Sequence, residues 1–129
     1  MLTEDSAPRP GPVIDLALTA GVDGTSVLAV AGEVDSLTAP DLRDALGAAL
    51  AAPDCRRLVL DLSGVTFLSS AGMSVLLNAR EDTRSRSVEL RLIGLADNRA
   101  VRRPLEVTGM LGLFHPHPDG RDEGVPESD

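Results

Sequence analysis

The chain has 129 residues and a mass of 13.5 kDa, enough for one domain around one hydrophobic core. Its formal net charge of −8 and its pI of about 4.6 argue against nucleic acid and anionic membrane surfaces as partners. All 12 basic residues are Arg, which excludes a phosphate-loop lysine and a Schiff-base lysine.

The two ends of the chain differ in composition from the middle. Residues 1–12 hold three prolines and few apolar groups, so we predict a flexible lead there, a domain over residues 13–114 and a disordered acidic tail over residues 115–129. The N-terminus lacks the basic and apolar regions of a signal peptide, and no apolar run approaches the ~20 residues of a membrane span. We therefore expect a cytoplasmic protein.

The first predicted elements are a β-hairpin and a helix. Residues 13–18 alternate in polarity, residues 21–24 supply turn chemistry, and residues 26–31 are a second apolar run. Thr38, followed by Pro40 and an acid, is typical of a helix start, and we predict a helix to about Ala51. Its predicted buried face consists of Leu42, Leu46, Ala49 and Leu50.

A strand, a turn and a second helix follow. Residues 58–62, LVLDL, are typical of a buried parallel strand, and a short loop through Gly64 and Thr66 is predicted after them. The helix is predicted to begin close to Ser70, with Ser69 and Ser70 at its cap. Helical spacing is visible in Met73, Leu76, Leu77 and Arg80.

The last third of the domain is less regular. Residues 88–93 alternate in polarity and predict a half-buried strand near an edge. Asn98 is able to open another helix, but Pro104 is tolerated only in a first turn, so we expect this helix to be short or kinked and to end near Thr108. Residues 111–114 are predicted to add a last edge strand.

The element order is then ββαβαβα with a final β. It predicts an α/β fold, a mixed sheet of four to five strands with helices packed on one face. Loops at the carboxyl ends of parallel strands carry function in such folds. The loop at residues 32–35 and the Ser69–Ser70 turn both follow strand ends.

The two serines permit two interpretations. A serine at a helix start caps an orphan backbone N–H, which stabilises the helix by about 1 kcal/mol relative to alanine. A hydroxyl at that position also lies at the positive end of the helix dipole, where a phosphate is well accommodated. Residue type alone leaves both open.

Five segments, taken in order, resemble the STAS-domain anti-sigma factor antagonists of bacteria. They are Gly32–Asp35, Thr38–Pro40 with Leu42, Asp61–Val65 with Phe67, Ser69–Gly72 and Leu105–Gly109. The resemblance covers most of residues 13–114 and implies a STAS-like fold. It also implies partner switching, in which the unphosphorylated antagonist binds an anti-sigma factor that is also a serine kinase. Phosphorylation releases it until a serine phosphatase restores it.

By that resemblance Ser70 is the phosphate acceptor. Typical members have Asp where this chain has Ser69, and Ser where it has Ala71, so Ser69 stays open as an alternative acceptor. Asp35 either repels the new phosphate or caps the turn before Thr38. The expected partner-binding residues are Asp35, Ser69, Ser70, Ala71, Gly72 and Met73.

Other functions find less support in the residues. A hydrolase elbow needs Gly where Leu68 stands, and the only histidines, His115 and His117, lie in the predicted tail, so we expect neither an enzyme nor a metal site. We also expect no cofactor and a monomer in isolation. A non-phosphorylated STAS scaffold in a larger regulatory complex is the alternative function.

Overall fold

The computed structural model describes residues 13–21 and 23–114. The predicted lead of residues 1–12 and the predicted tail of residues 115–129 lie outside the described residues, as does Val22 in the predicted hairpin turn.

Four strands form one mixed sheet in the described part of the chain. They are β1 (Ile14–Ala20), β2 (Thr25–Val34), β3 (Arg57–Leu68) and β4 (Glu89–Ile93). β1 is antiparallel to β2, whereas β2 with β3 and β3 with β4 are parallel, and the spatial order equals the chain order. The predicted α/β fold is confirmed, and β4 lies at one edge of this sheet as expected.

The helices are α1 (Ala39–Leu50), α2 (Ser70–Ser85), α3 (Arg99–Val107) and α4 (Leu111–Phe114). None of these described helices is long and apolar enough to traverse a bilayer. Successive side chains of a strand point to opposite faces of the sheet. Leu28, Leu60 and Leu92 stand in register and are fully buried beneath the helices, whereas their chain neighbours Ala29 and Asp61 are only half-buried.

The predicted buried face of α1 is confirmed. The buried residues of this helix are Ala39, Leu42, Leu46, Ala49 and Leu50. Pro40 and Asp41 lie in its first turn. The backbone N–H groups of a first turn have no partner within the helix, so the missing N–H of proline costs no hydrogen bond, and an acid there complements the helix dipole. This amphipathic face is what covers the sheet next to β2.

The predicted loop through Gly64 and Thr66 is wrong, because β3 continues to Leu68. The pairing of β2 with β3 contains two register shifts, which allow the strand to continue through this segment. Gly64 lies so close to Ala31 that an added Cβ would be 2.8 Å from the Ala31 Cβ. Here glycine permits a close approach of two strands and does not mark a turn.

Asn98 holds the second half of β3 in place. The pairing of β3 with β4 ends at Asp61, so the next carbonyls of β3 have no strand partner on that side among the described residues. Asn98 Nδ2 donates to the carbonyls of Leu62, at 2.8 Å, and Val65, at 2.9 Å. Its Oδ1 accepts from the backbone N–H of Ala100, which caps α3 as predicted.

Two expectations about the end of the domain are corrected. Residues 111–114 form α4 and not an edge strand, since Leu111 and Phe114 pack towards the core at a helical spacing of three. Arg80 Nε donates to the carbonyl of Leu113 at 3.1 Å. Pro104 lies inside α3, beyond its first turn, although the helix is short as predicted, with nine residues.

Candidate functional site at the strand ends

Ser69 joins the end of β3 to the start of α2 and lies against the end of β2. Its backbone N–H donates to the carbonyl of Val34 at 2.9 Å. Its Oγ accepts from the backbone N–H of Gly72 at 3.3 Å, and its backbone is extended, with φ −89° and ψ 177°. Ser69 is therefore the N-cap of α2, and its hydroxyl is occupied.

Ser70 is the first residue of α2, so the expectation that both serines share the cap is corrected. Its side chain is exposed, and its hydroxyl makes no hydrogen bond to any residue that the structure describes. The first turn of α2 contains no acid, which leaves the positive end of the helix dipole without a compensating charge. A free hydroxyl thus lies where an added anion is favoured electrostatically.

Gly72 sets how closely α2 approaches the sheet. A Cβ at this position would lie 2.6 Å from Leu68 Cδ1 and 2.7 Å from Val34 Cγ1. The start of the helix therefore rests directly on the ends of β2 and β3. This close approach is what fixes Ser69 and Ser70 beside the strand ends.

Ala71 and Met73, the other expected partner-binding residues, are half-buried and pack against the core. Met73 Sδ lies 3.9 Å from Thr108 Oγ1, which connects the start of α2 with the end of α3. These side chains support the surface around Ser70 more than they protrude from it.

Asp35 organises the loop after β2. Its Oδ1 accepts from the backbone N–H groups of Leu37, at 2.9 Å, and Thr38, at 3.2 Å. Thr38 Oγ1 accepts from the Asp35 N–H and donates to the Glu33 carbonyl at 2.7 Å. The turn-capping role of Asp35 is therefore observed, and the loop is held rigidly before α1.

The surface formed by these two segments is apolar and acidic. Residues 33–38 and 66–73 include Glu33 and Asp35 but no arginine or histidine. Leu37, in the loop after β2, and Phe67, in β3, are both exposed. Sequence reasoning did not single out these two side chains, although the alternation that buries Leu68 indicates that Phe67 points the other way.

Within residues 13–21 and 23–114, no three His, Cys, Asp or Glu side chains converge in a way that could hold a metal ion. His115 and His117 lie outside the described residues. At the strand-to-helix turn itself, the exposed hydroxyl is that of Ser70, whereas Ser69 is half-buried.

Comparison with known proteins places this arrangement in a family. Residues 17–122 match the STAS domain. The anti-sigma-F factor antagonist RsfB of Mycobacterium tuberculosis is 35% identical over 92 residues, which cover 71% of this chain and 72% of RsfB. The chain belongs to the STAS-domain anti-sigma factor antagonists.

Solved structures agree with this assignment. The crystal structure of an anti-sigma factor antagonist from Mycobacterium paratuberculosis has a TM-score of 0.71 and 36% identity, covering 82% of this chain and 86% of that one. The unphosphorylated form of SpoIIAA has a TM-score of 0.66 at 16% identity, covering 81% of this chain and 87% of that one. The latter likeness concerns the fold alone.

Proposed function

We propose that this protein antagonises an anti-sigma factor by partner switching. In its unphosphorylated form it binds an anti-sigma factor with serine kinase activity, through the surface that surrounds Ser70. Phosphorylation of Ser70 by that kinase releases it, and a serine phosphatase restores it. The observation that carries this proposal is the exposed Ser70 hydroxyl at the start of α2, which has no hydrogen-bond partner in the part of the chain that the structure describes.

Ser70 is favoured over Ser69 as the acceptor for a geometric reason. Ser69 is half-buried, and its Oγ accepts from the Gly72 N–H. Phosphorylation there would have to modify a half-buried oxygen that already accepts a bond from the helix backbone. Ser70 needs no such rearrangement, since its side chain already faces solvent.

The release follows from charge and desolvation. A phosphate adds about −1.5 to −2 charges and three acceptor oxygens. A partner that packs against a neutral serine must then bury an anion, and burying a charge without a counter-ion is strongly unfavourable. Glu33, near the end of β2, and Asp35, in the loop that follows, add to the negative potential that the partner meets.

Phosphosite mapping tests the proposal. The full chain is incubated with the purified anti-sigma factor kinase of its own organism and ATP, and phosphopeptides are located by mass spectrometry. We expect one phosphate on Ser70, none in Ser70→Ala, and full incorporation in the matched control Ser69→Ala.

The outcomes distinguish an error in the acceptor residue from an error in the proposed switch. Phosphate that persists in Ser70→Ala and disappears in Ser69→Ala would move the acceptor to Ser69 and leave the switch intact. If the wild-type chain binds its partner but is never phosphorylated, the protein is a passive STAS scaffold and the proposed switch is wrong.

A further inference from the structure

The outer face of α3 carries three exposed arginines, which we call the α3 basic patch. Arg99, Arg102 and Arg103 lie one helical turn apart and, together with Glu106, line an open cavity of about 220 Å³. Arg102 Nε donates to Glu106 Oε2 at 2.9 Å. Arg99 and Arg103 form no ion pair within the described residues, so two cations of the patch lack a counter-ion there.

The charges of the patch are unfavourable for the helix that carries them. Arg99 and Arg103 are four positions apart, where like charges repel each other. The first turn of α3 contains no acid, so Arg99 and Arg102 lie at the positive end of the helix dipole. Asp97, just before the helix, is exposed and pairs with no arginine in the described part of the chain. An acidic segment lying on the patch would offset both repulsions.

Exposed arginines of the two longer helices are accompanied by more acids. Arg43 of α1 lies between Asp41 and Asp44, and Arg84 of α2 follows Glu81 and Asp82. In contrast, α3 holds three arginines and one glutamate, in a chain whose net charge is −8. Among these helices, α3 is therefore the one with an excess of positive charge.

Residues 115–129 supply the opposite charge. They contain five acids and one arginine, a net charge of −4 with the histidines neutral. They follow α4, which contacts α3. Asp119, Asp122 and Glu123 come five to nine residues after Phe114, an extended reach of about 16–30 Å, whereas α3 is only about 13 Å long. Their carboxylates are therefore within reach of the patch.

We propose that the acidic segment of residues 115–129 binds the α3 basic patch of the same chain. Its carboxylates form charge-assisted hydrogen bonds with Arg99 and Arg103, whose planar guanidinium groups suit the two oxygens of a carboxylate. Each exposed ion pair is weak, but the covalent connection through α4 holds the partners at an effective concentration on the order of millimolar. The contact is thus favoured within one molecule and is independent of phosphate on Ser70.

Paramagnetic broadening in the full chain tests the contact. A nitroxide is attached to the cysteine of Gly120→Cys in a Cys55→Ser background, since Cys55 is the single cysteine. Amide resonances of the isotope-labelled protein are then compared before and after the nitroxide is reduced. At low salt we expect the amides of the patch to lose about half of their intensity or more, and those of β1 to keep theirs. High salt should abolish the effect, because exposed charges are screened.

Two double variants of equal charge separate the patch from the overall charge. Arg99→Gln/Arg103→Gln should remove the broadening of α3. Arg43→Gln/Arg84→Gln, the matched control, changes two exposed arginines outside the patch and should leave the broadening as it is. Broadening that survives in the first variant, or is lost equally in both, would overturn the proposal.

The acids supply the converse comparison. Asp122→Asn/Glu123→Gln should weaken the broadening, whereas Glu4→Gln/Asp5→Asn, which removes the same charge near the other end of the chain, should not. A mixture of nitroxide-bearing chains with isotope-labelled chains that lack the nitroxide distinguishes a contact within one molecule from a contact between two. Equal broadening of the patch in that mixture would assign it to a second copy and refute the intramolecular contact.

Discussion

Ser69 and Ser70 are chemically identical neighbours with different surroundings. The Ser69 hydroxyl caps α2, whereas the Ser70 hydroxyl has no partner among the described residues. Ser69→Ala should therefore lower the free energy of unfolding by about 1 kcal/mol, and Ser70→Ala should change it by only a few tenths. Urea denaturation of both variants measures the difference, and equal losses would show that Ser69 is not the cap.

Gly72 is required for its size. Its replacement by Ala would place a methyl group 2.6 Å from Leu68 Cδ1 and 2.7 Å from Val34 Cγ1, in a packed region. We expect Gly72→Ala to destabilise the chain by about 1–3 kcal/mol. The loss should appear as a lower midpoint in chemical denaturation.

Gly47 provides the control for this substitution. It lies inside α1, and a Cβ there would meet nothing within 4 Å. Gly47→Ala should stabilise the chain by about 0.5–1 kcal/mol, because alanine is the better helix former. If the two alanine variants changed stability alike, the close packing of α2 on the sheet would be contradicted.

At the scale of elements, Asn98 links β3 to α3 through both ends of its amide. Asn98→Ala should cost about 1–3 kcal/mol, since it removes the donor to the carbonyls of Leu62 and Val65 and the helix cap together. Asn98→Asp keeps an acceptor for the cap but has no N–H for the carbonyls. It should therefore remain clearly less stable than the wild type, and wild-type stability in thermal unfolding would refute the role of the donor.

Hydrophobic periodicity in the sequence predicted the elements whose structure depends on residues close in the chain. The alternation in β2 and the amphipathic face of α1 arise from burial of one side of each element, and the sequence displays it directly. Gly64 and Thr66 looked like turn residues because their strand conformation depends on a register shift and on Asn98, more than thirty positions away. With four residues, α4 is too short to display a helical period.

The candidate site was predictable in position but not in detail. The change from strand to helix located Ser69 and Ser70 correctly. Which serine caps α2 depends on a shift of one residue in the helix start, and periodicity does not resolve such a shift. The exposure of Leu37 and Phe67 depends on which neighbouring elements leave them uncovered, and this requires the assembled fold.

For the whole molecule, the sheet order explains why the two segments of the candidate site lie together. β2 and β3 are parallel neighbours, so the Asp35 loop and the Ser69–Ser70 turn leave the sheet at the same edge. The core is built from the buried, alternate side chains of the strands and from the helices that cover them, and Ser70 is not part of it. Phosphate at the start of α2 is also favourable for the helix dipole, by about 0.3–1 kcal/mol.

The switch is therefore expected to act on the surface and leave the fold intact. Ser70→Asp should unfold at the same temperature as the wild type or slightly above it, since an acid in the first turn complements the dipole. Circular dichroism during heating measures this. A marked loss of stability would indicate that release occurs by unfolding.

The most direct measurement compares the two forms of the wild-type chain against one anti-sigma factor. The chain is prepared unphosphorylated and with stoichiometric phosphate on Ser70, and the Kd of each form is measured by calorimetry in the same buffer. We expect phosphorylation to weaken binding by at least tenfold, about 1.4 kcal/mol, and phosphatase treatment to restore it. Equal affinities of the two forms would contradict partner switching at Ser70.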